Sequence, residues 1–415
     1  MFLNSSEALD WLYNTQLFGM KLGLEGITRL LRACDLATLV DGAPDAPQII
    51  HVAGTNGKGS TCAMMESIGR ASGYKTGMFT SPHLVRFHER LRVNNQMIDD
   101  ATLCRLIQKL HDVTQDWDPC PTFFELATAL GLMYFEEQGC DLILLETGMG
   151  GRLDATNAVA KSVAVLVPIG LDHTQYLGDT LAAIAGEKAG IITSDLAVIC
   201  AVQAEEAMTV IRDRCSSTGS ELQLVDKPCD LPLGLLGQHQ AQNAALAVTA
   251  MKALPQFRGN EESIAQGLKK ASWAGRFEKL KIQGKACILD GAHNAHAMRA
   301  LVETWQSQYG DTKPCCIFAA AEDKDVGAVL DLLAPLVGRW VLPVVQSPRI
   351  AAPEQMEQLV RRYSSAAIST CPHLSDAFGQ LAEGAPNLIC GSLFLVGETK
   401  ALLEQSADSY RKTMQ

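Results

Sequence analysis

The chain has 415 residues, of which 47% are hydrophobic and 20% charged, and carries a net charge of −11. That length exceeds one ordinary core and predicts two domains of a soluble globular protein, while the acidic balance excludes broad neutralisation of a nucleic-acid backbone. Thirteen cysteines without a C-x-x-C pair point to buried thiols in a reducing cytoplasm, not to a disulfide framework or a zinc site.

The opening MFLNSSEALD places Glu7 and Asp10 before any apolar run, which does not suit a secretory signal. No uninterrupted apolar segment approaches the roughly 20 residues of a membrane span. The expectation is a cytoplasmic protein with no membrane or nucleic-acid partner. Residues 6–35 read as helical, with Leu9, Leu12, Tyr13, Ile27, Leu30 and Leu31 at helix-like spacing. VDGAPDAPQ (40–48) is a loop by its Pro, Gly and Asp content.

From there the chain repeats a short apolar run, a small or polar loop and a helical pattern, the signature of a mostly parallel α/β sheet. IIHVA runs into Gly54-Thr55-Asn56-Gly57-Lys58, DLILLE ends on Glu146, and SVAVLVPIG delivers Leu171-Asp172-His173. Ligands of open α/β sheets sit outside the carboxyl ends of the strands. Lys58, Glu146 and His173 are therefore expected at one sheet edge. A loop-rich stretch (225–240) precedes a helical pattern from Gln238 to about Leu254, and the strand device restarts with ACILD, CCIFAAAED, RWVLPVV and NLICGS. The division falls near residue 282. The expected fold class is α/β: an N-terminal P-loop-type ATPase domain over 1–282 and a smaller Rossmann-like domain over 283–415.

HVAGTNGKGST (51–61) departs from the common loop G-x-x-x-x-G-K-[ST]. Gly54 stands too close to Gly57, Gly59 replaces the hydroxyl residue after Lys58, and Ser60 comes one position late. Three glycines let backbone amides approach phosphate, and Lys58 adds a point charge. A glycine-rich strand-to-helix turn without a ligand is the competing reading. Glu146 and His173 suit either Mg²⁺ beside the loop or a strand-end cap and a hydrogen-bonded core imidazole.

In TSPHLVRFHERLRV (80–93), Arg86, His88, Arg90 and Arg92 alternate with apolar residues. An extended segment would gather them on one face, either to attract a carboxylate-rich substrate or simply to meet solvent. LGDTLAAIAGEKAGI (177–191) reads as a capped helix with Lys188 near its end, where a cation favours the dipole. Gln240 and Asn243 share a helix face, and Asp290 and His293 follow a strand.

HVAGTNGKGS, TSPHL, TGMGGRLDATN, GLDHTQYLGDTLAAIAGEKAGI, GQHQAQNAALAV, WAGRF and LDGAHNAHA occur in order. Together they resemble bacterial dihydrofolate synthase/folylpolyglutamate synthase, of the Mur ligase superfamily. The resemblance is strongest over 50–300. It implies ATP-dependent joining of L-glutamate to dihydropteroate and to reduced folates through an acyl phosphate. It further implies that Gly54, Thr55, Asn56, Gly57, Lys58, Gly59 and Ser60 bind the phosphates. Ser81, Glu146 and His173 would hold Mg²⁺, with two ions expected, and Lys188 matches a lysine that is carbamylated in the family. Gln240 and Asn243 would lie near the base, Arg276 and Asp290 near the phosphates and ribose, and His293 at the interdomain site.

GGRLDATN, with Asp154, is similar to the version in enzymes that accept dihydropteroate. Thr122 and Phe124 match residues lining the pterin pocket, and Arg86 is a further candidate for the substrate side. These favour a bifunctional enzyme over a single-activity dihydrofolate synthase or folylpolyglutamate synthase. FAAAEDKD departs from the family pattern and leaves Lys324 without an assigned role.

A Mur-type cell-wall ligase is the nearest rival. The 53 residues before Gly54 are too few for the nucleotide-sugar domain such enzymes usually carry, and Gly59 also speaks against it. A phosphate-loop kinase or NTPase switch would carry a standard loop. A binding-only relative would not need Lys58, Glu146, His173 and Lys188 together. The family further implies a monomer.

Overall fold

The computed structural model describes residues 2–18 and 23–404. The described residues form two compact units, one within 2–83, 87–234 and 241–272, the other within 84–86, 235–240 and 273–404.

The first unit is built on an eight-stranded sheet: β1 (Gln48–Ala53), β2 (Thr76–Phe79), β3 (Leu91–Val93), β4 (Gln96–Met97), β5 (Leu142–Glu146), β6 (Val163–Leu166), β7 (Ala197–Ala201) and β8 (Glu221–Val225). Their order is β4-β3-β2-β5-β1-β6-β7-β8. Every neighbour pair from β2 to β8 is parallel, and only the β3 and β4 edge is antiparallel. Strands β2, β5 and β6 are buried along their length, as continuous apolar runs require of a sheet covered on both faces.

The order 2-5-1-6 decides where the chemistry can sit. From β1 the chain crosses past β5's place to form β2, and only after β5 does it pass to β1's other side as β6. The carboxyl end of β1 thus lies at a topological switch point, where a crevice opens for ligands. Helix Lys58–Ala71 starts there and packs on β1, β2 and β5. It also packs closely on helix Glu261–Lys270: Ser67 Oγ donates to Gly267 O at 2.8 Å.

The second unit holds β9 (Glu278–Ile282), β10 (Lys285–Leu289), β11 (Cys315–Phe318), β12 (Arg339–Pro343), β13 (Ala367–Cys371) and β14 (Asn387–Cys390), ordered β13-β12-β11-β14-β10-β9. All pairs are parallel except β9 with β10. Trp305, Phe318 and Trp340 fill one face of this sheet, and Leu289, Ile317 and Val341 the other.

Three local expectations are revised. The helical stretch over 6–35 is two helices, Ser5–Asn14 and Glu25–Ala33: Thr15 donates back to Leu12 O at 2.6 Å and the chain tightens into a 3-10 turn. Residues 19–22 of that stretch lie outside the described residues. The boundary near 282 falls instead between 272 and 273, because β9 pairs with β10 and so belongs to the second sheet. Residues 87–90 are a 3-10 turn, not an extended strand, so the basic residues of 86–92 share no face. Arg86 is exposed and groups with the second unit, whereas Arg90 is buried in the first.

Candidate active site

Adjacent strands β2, β5, β1 and β6 deliver their carboxyl ends side by side, and each end carries one predicted group. After β1 comes the loop Gly54–Gly57. Gly57, at φ +98°, caps helix Lys58–Ala71, and a Cβ there would stand 2.6 Å from Asn243 Oδ1. A side chain is excluded twice, by backbone and by space. Thr55 N donates to Pro168 O at 2.9 Å, and its hydroxyl exchanges bonds of 3.0 Å with Gly170 O and N. Thr55 thus ties the loop to the segment after β6. The amides of Lys58, Gly59 and Ser60 open the helix, and the first N–H groups of a helix have no partner within it, so a helix start of this kind can accept an anion. Ser60 is buried beside them.

Two lysines converge on one carbonyl. Lys58 Nζ donates to Gly54 O at 3.2 Å and Thr55 O at 3.3 Å, and Lys188 Nζ donates to Gly54 O at 3.0 Å. Lys188 lies in helix Leu181–Ala189, capped by Thr180 as the sequence predicts, but is only 5% exposed. Burial, reinforced by the Lys58 charge, lowers its pKa to about 7, against a smaller pull from Asp172 and Asp154. It is not a solvated dipole cation.

Glu146, the last residue of β5, is 5% exposed, and its Oε2 accepts the Ser81 N–H at 3.0 Å. The structure thus brings together Ser81 from the end of β2 and Glu146 from the end of β5. His173 follows β6 in a left-handed conformation at φ +51°, opening the short helix Thr174–Leu177, with its N–H on the Asp172 carboxylate at 2.9 Å.

TGMGGRLDATN folds around Asp154. One carboxylate oxygen accepts Gly148 N at 2.8 Å and Met149 N at 2.9 Å; the other accepts Thr156 N at 3.0 Å and Thr156 Oγ1 at 2.5 Å. Burial nonetheless raises its pKa, these bonds opposing the shift. Thr156 Oγ1 reaches His51 Nε2 at 2.7 Å, and fully buried His51 is held well below its ordinary pKa by desolvation, with Lys161 adding to the effect. His51 is the single polar residue of the apolar run IIHVA, and an imidazole in that position is the sequence signal of this buried contact.

Asp154 therefore spends both oxygens on its own loop. Thr122 is similarly engaged, sharing a capping box with Glu125 at the start of helix Phe123–Glu137. Phe124 lies over the loop's first glycine, where a Cβ on Gly148 would come within 2.5 Å of its Cζ, and packs edge-on to Phe79 at 5.9 Å.

Asn243, 3% exposed, sits against Gly57 of the phosphate loop. Gln240, 1% exposed, groups with the second unit. In that unit Asp290 follows β10 and accepts Phe277 N and Ala292 N, each at 2.8 Å. Burial raises the Asp290 pKa against the opposing Arg276 charge. Arg276 Nη1 donates to Gly275 O at 3.0 Å, and His293 Nδ1 lies 2.8 Å from Gly291 O. Lys324 stands in a turn beside the isolated bridge between Ala321 and Ile350.

Comparison with known proteins matches this arrangement. The family description "Mur ligase, glutamate ligase domain" fits residues 275–393. The chain is 31% identical to the dihydrofolate synthase/folylpolyglutamate synthase of Bacillus subtilis, over 97% of this chain and 100% of that one. It is 33% identical to the Escherichia coli protein of the same name, over 95% and 94%. Among solved structures, E. coli FolC in complex with DHPP and ADP superposes with a TM-score of 0.85 at 30% identity, over 96% of this chain and 98% of that one. A bifunctional folylpolyglutamate synthase/dihydrofolate synthase with Mn, AMPPNP and L-glutamate bound gives 0.82 at 30%, again over 96% and 98%. A glycine-rich loop at the sheet's switch point, with Ser81, Glu146 and His173 following the neighbouring strands and Lys188 buried on Gly54 O, is thus set in a chain that belongs to the dihydrofolate synthase/folylpolyglutamate synthase family of ATP-dependent glutamate ligases.

Proposed function

We propose that the protein joins L-glutamate both to dihydropteroate, forming dihydrofolate, and to reduced folates, lengthening their glutamate tails. The observation that carries this reading is the alignment of four adjacent strand ends bearing the phosphate loop, Ser81, Glu146 and His173.

The acceptor carboxylate attacks the γ-phosphorus of ATP, releasing ADP and giving an acyl phosphate. The glutamate amine then attacks the acyl carbon; phosphate leaves and the amine gives up a proton. In this reading the helix-start amides at Lys58, Gly59 and Ser60 cradle the phosphates. Lys58 exchanges its carbonyl partners for phosphate oxygens and offsets their charge in the transition state. Gln240 and Asn243 would lie near the base, and Arg276 and Asp290 by the phosphates and ribose. Arg86 and His293 are assigned to the substrate side. Asp154 and Thr122 act on the pterin side indirectly: Asp154 sets the loop and Thr122 the helix start, and Phe124 offers its ring to the pterin.

The donor set fits Mg²⁺. Among the described residues no group of three or more His, Cys, Asp or Glu could hold an ion by itself. One carboxylate, one hydroxyl and one imidazole suit a hard cation that completes its shell with water and phosphate oxygens. Ser81, Glu146 and His173 would hold it, with two ions in the working enzyme; bound there, Mg²⁺ supplies charge stabilisation to the transferring phosphoryl group. A pKa near 7 for Lys188 leaves part of the amine neutral, the form that adds carbon dioxide, and this supports its assignment as a carbamylated lysine. Thirteen free thiols fit a cytoplasmic setting, and we read the working enzyme as a monomer, which sedimentation tests.

The deciding assay is phosphate release from ATP that requires both L-glutamate and a pterin acceptor. Release with dihydropteroate but not with reduced folates would limit the enzyme to dihydrofolate synthase, and the converse to folylpolyglutamate synthase. Release driven by a UDP-sugar peptide instead would overturn the folate reading.

A further inference from the structure

Arg90 is a buried cation with no counterion among the described residues. It is 8% exposed, ends the 3-10 turn Phe87–Arg90, and makes a single side-chain hydrogen bond there, from Nε to His83 Nδ1 at 2.8 Å. Its guanidinium carbon lies 5.5 Å from the centre of the Phe123 ring and 5.9 Å from that of Phe87. Among the described residues, the four Nη hydrogens have no carboxylate or carbonyl to meet. A buried, unpaired charge is costly enough that proteins normally pair it.

The same two rings gather other unused donors. Tyr13 stacks on Phe123 at 5.6 Å and meets Phe87 edge-on at 6.3 Å, and its buried hydroxyl has no hydrogen-bond partner among the described residues. His83 lies 6.2 Å from Phe87. Because its Nδ1 accepts from Arg90, its proton sits on Nε2, and that buried N–H is unpartnered as well. The phenol and the imidazole each present a buried hydrogen that no described residue accepts, and the guanidinium beside them spends only its Nε on His83. Arg90 also feels the charge of Glu146 without an ion pair to it, which places the cluster near the strand-end site.

We propose that Arg90, Tyr13 and His83 form a binding site for the carboxylate of the aromatic acceptor, a site that steers this group toward the γ-phosphate. The inference rests on the ligation reading above. The Arg90 fork matches a planar carboxylate through two parallel bonds. One cation with two neutral donors balances a single negative charge, not the several of a polyphosphate. The surrounding rings of Phe87, Phe123 and Tyr13 suit an aromatic acid.

The test compares pteroate with its uncharged carboxamide by calorimetric titration, without ATP or Mg²⁺. Wild-type protein should prefer pteroate at least tenfold. Arg90→Gln should bind both alike, with the KM for dihydropteroate raised about tenfold or more and the KM for ATP unchanged. Tyr13→Phe should lose about threefold of the preference. If Arg90→Gln fails to fold, Arg90→Lys is read in its place: it keeps the charge but not the fork, and should lose at least threefold. A folded Arg90 variant that keeps the wild-type preference makes Arg90 a structural residue and overturns the proposal, as does a wild-type protein that binds both compounds equally while ligation proceeds. Absence of any pterin-dependent phosphate release would instead overturn the ligation reading itself.

Discussion

Replacing Asp154 by asparagine removes a charge and no volume, so its cost isolates the hydrogen-bond logic of the 147–157 loop. In the native protein both carboxylate oxygens accept two bonds each. Thr156 therefore donates its hydroxyl hydrogen to Asp154 and must accept from His51, which fixes the His51 proton on Nε2. The introduced amide would best keep its oxygen on Gly148 N and Met149 N and turn its NH₂ toward Thr156. The Thr156 N–H then faces a donor. The Thr156 hydroxyl must accept from the amide, which strands a second hydrogen, either its own or one pushed onto His51 Nδ1. That nitrogen is buried without a partner among the described residues. Two stranded buried donors cost roughly 2–6 kcal/mol. Urea unfolding of Asp154→Asn should show a loss in that range, and the ¹⁵N shifts of His51 should report Nε2–H in the wild type. A loss below about 1 kcal/mol, or a wild-type His51 protonated on Nδ1, would refute the relay.

Lys58→Ala should lower kcat by about a thousandfold or more at unchanged melting temperature, since Lys58 touches only its own loop; near-normal turnover would remove the loop from the mechanism. Gly57→Ala meets both φ +98° and Asn243 and should destabilise by about 1–3 kcal/mol, with Asn243→Ser restoring only the steric part; a silent Gly57→Ala would refute the geometry. For Lys188 the folded pKa, about 7, lies below the ordinary lysine value, so the unfolded chain binds more protons between pH 7 and 10.5 and wild-type stability should rise across that window. Lys188→Met should lose that rise, and an unchanged slope would show the amine to be solvated. Lys188→Ala activity should recover in part with small carboxylates if the carbamate is needed.

The parallel α/β class and the site edge were legible because the central strands β1, β2, β5 and β6 are apolar runs followed by polar groups. Lys58, Glu146 and His173 needed only chain order and the rule that ligands meet strand ends. Side-chain destination was less legible. Alternation in 86–92 suggested a strand, but a 3-10 turn buries Arg90 while Arg86 stays exposed; nothing local distinguishes the two arginines, because burial is decided by Tyr13 and Phe123 far away in the chain. Asp154 looked like a ligand contact, yet its oxygens are consumed by amides five and six residues before it and by the threonine just after. Lys188 read as a dipole cation until tertiary packing placed it on Gly54 O. The domain boundary slipped because β9 carries alternating polar residues on an edge strand and so lacks the apolar run that marks β10 and β11 in the same sheet.

The carbonyl oxygen of Gly54 accepts from two lysine amines, Lys58 and Lys188. On the proposed reading, ATP binding at this loop would exchange partners around Gly54 O, with Lys58 trading its carbonyl contacts for phosphate oxygens. If Lys58 left for phosphate, Lys188 would still donate to the Gly54 oxygen. The Lys58 charge is one cause of the depressed Lys188 pKa, after burial, so an anion that took up that charge would raise the Lys188 pKa on a different helix. The two lysines share one acceptor, and the charge of one bears directly on the pKa of the other.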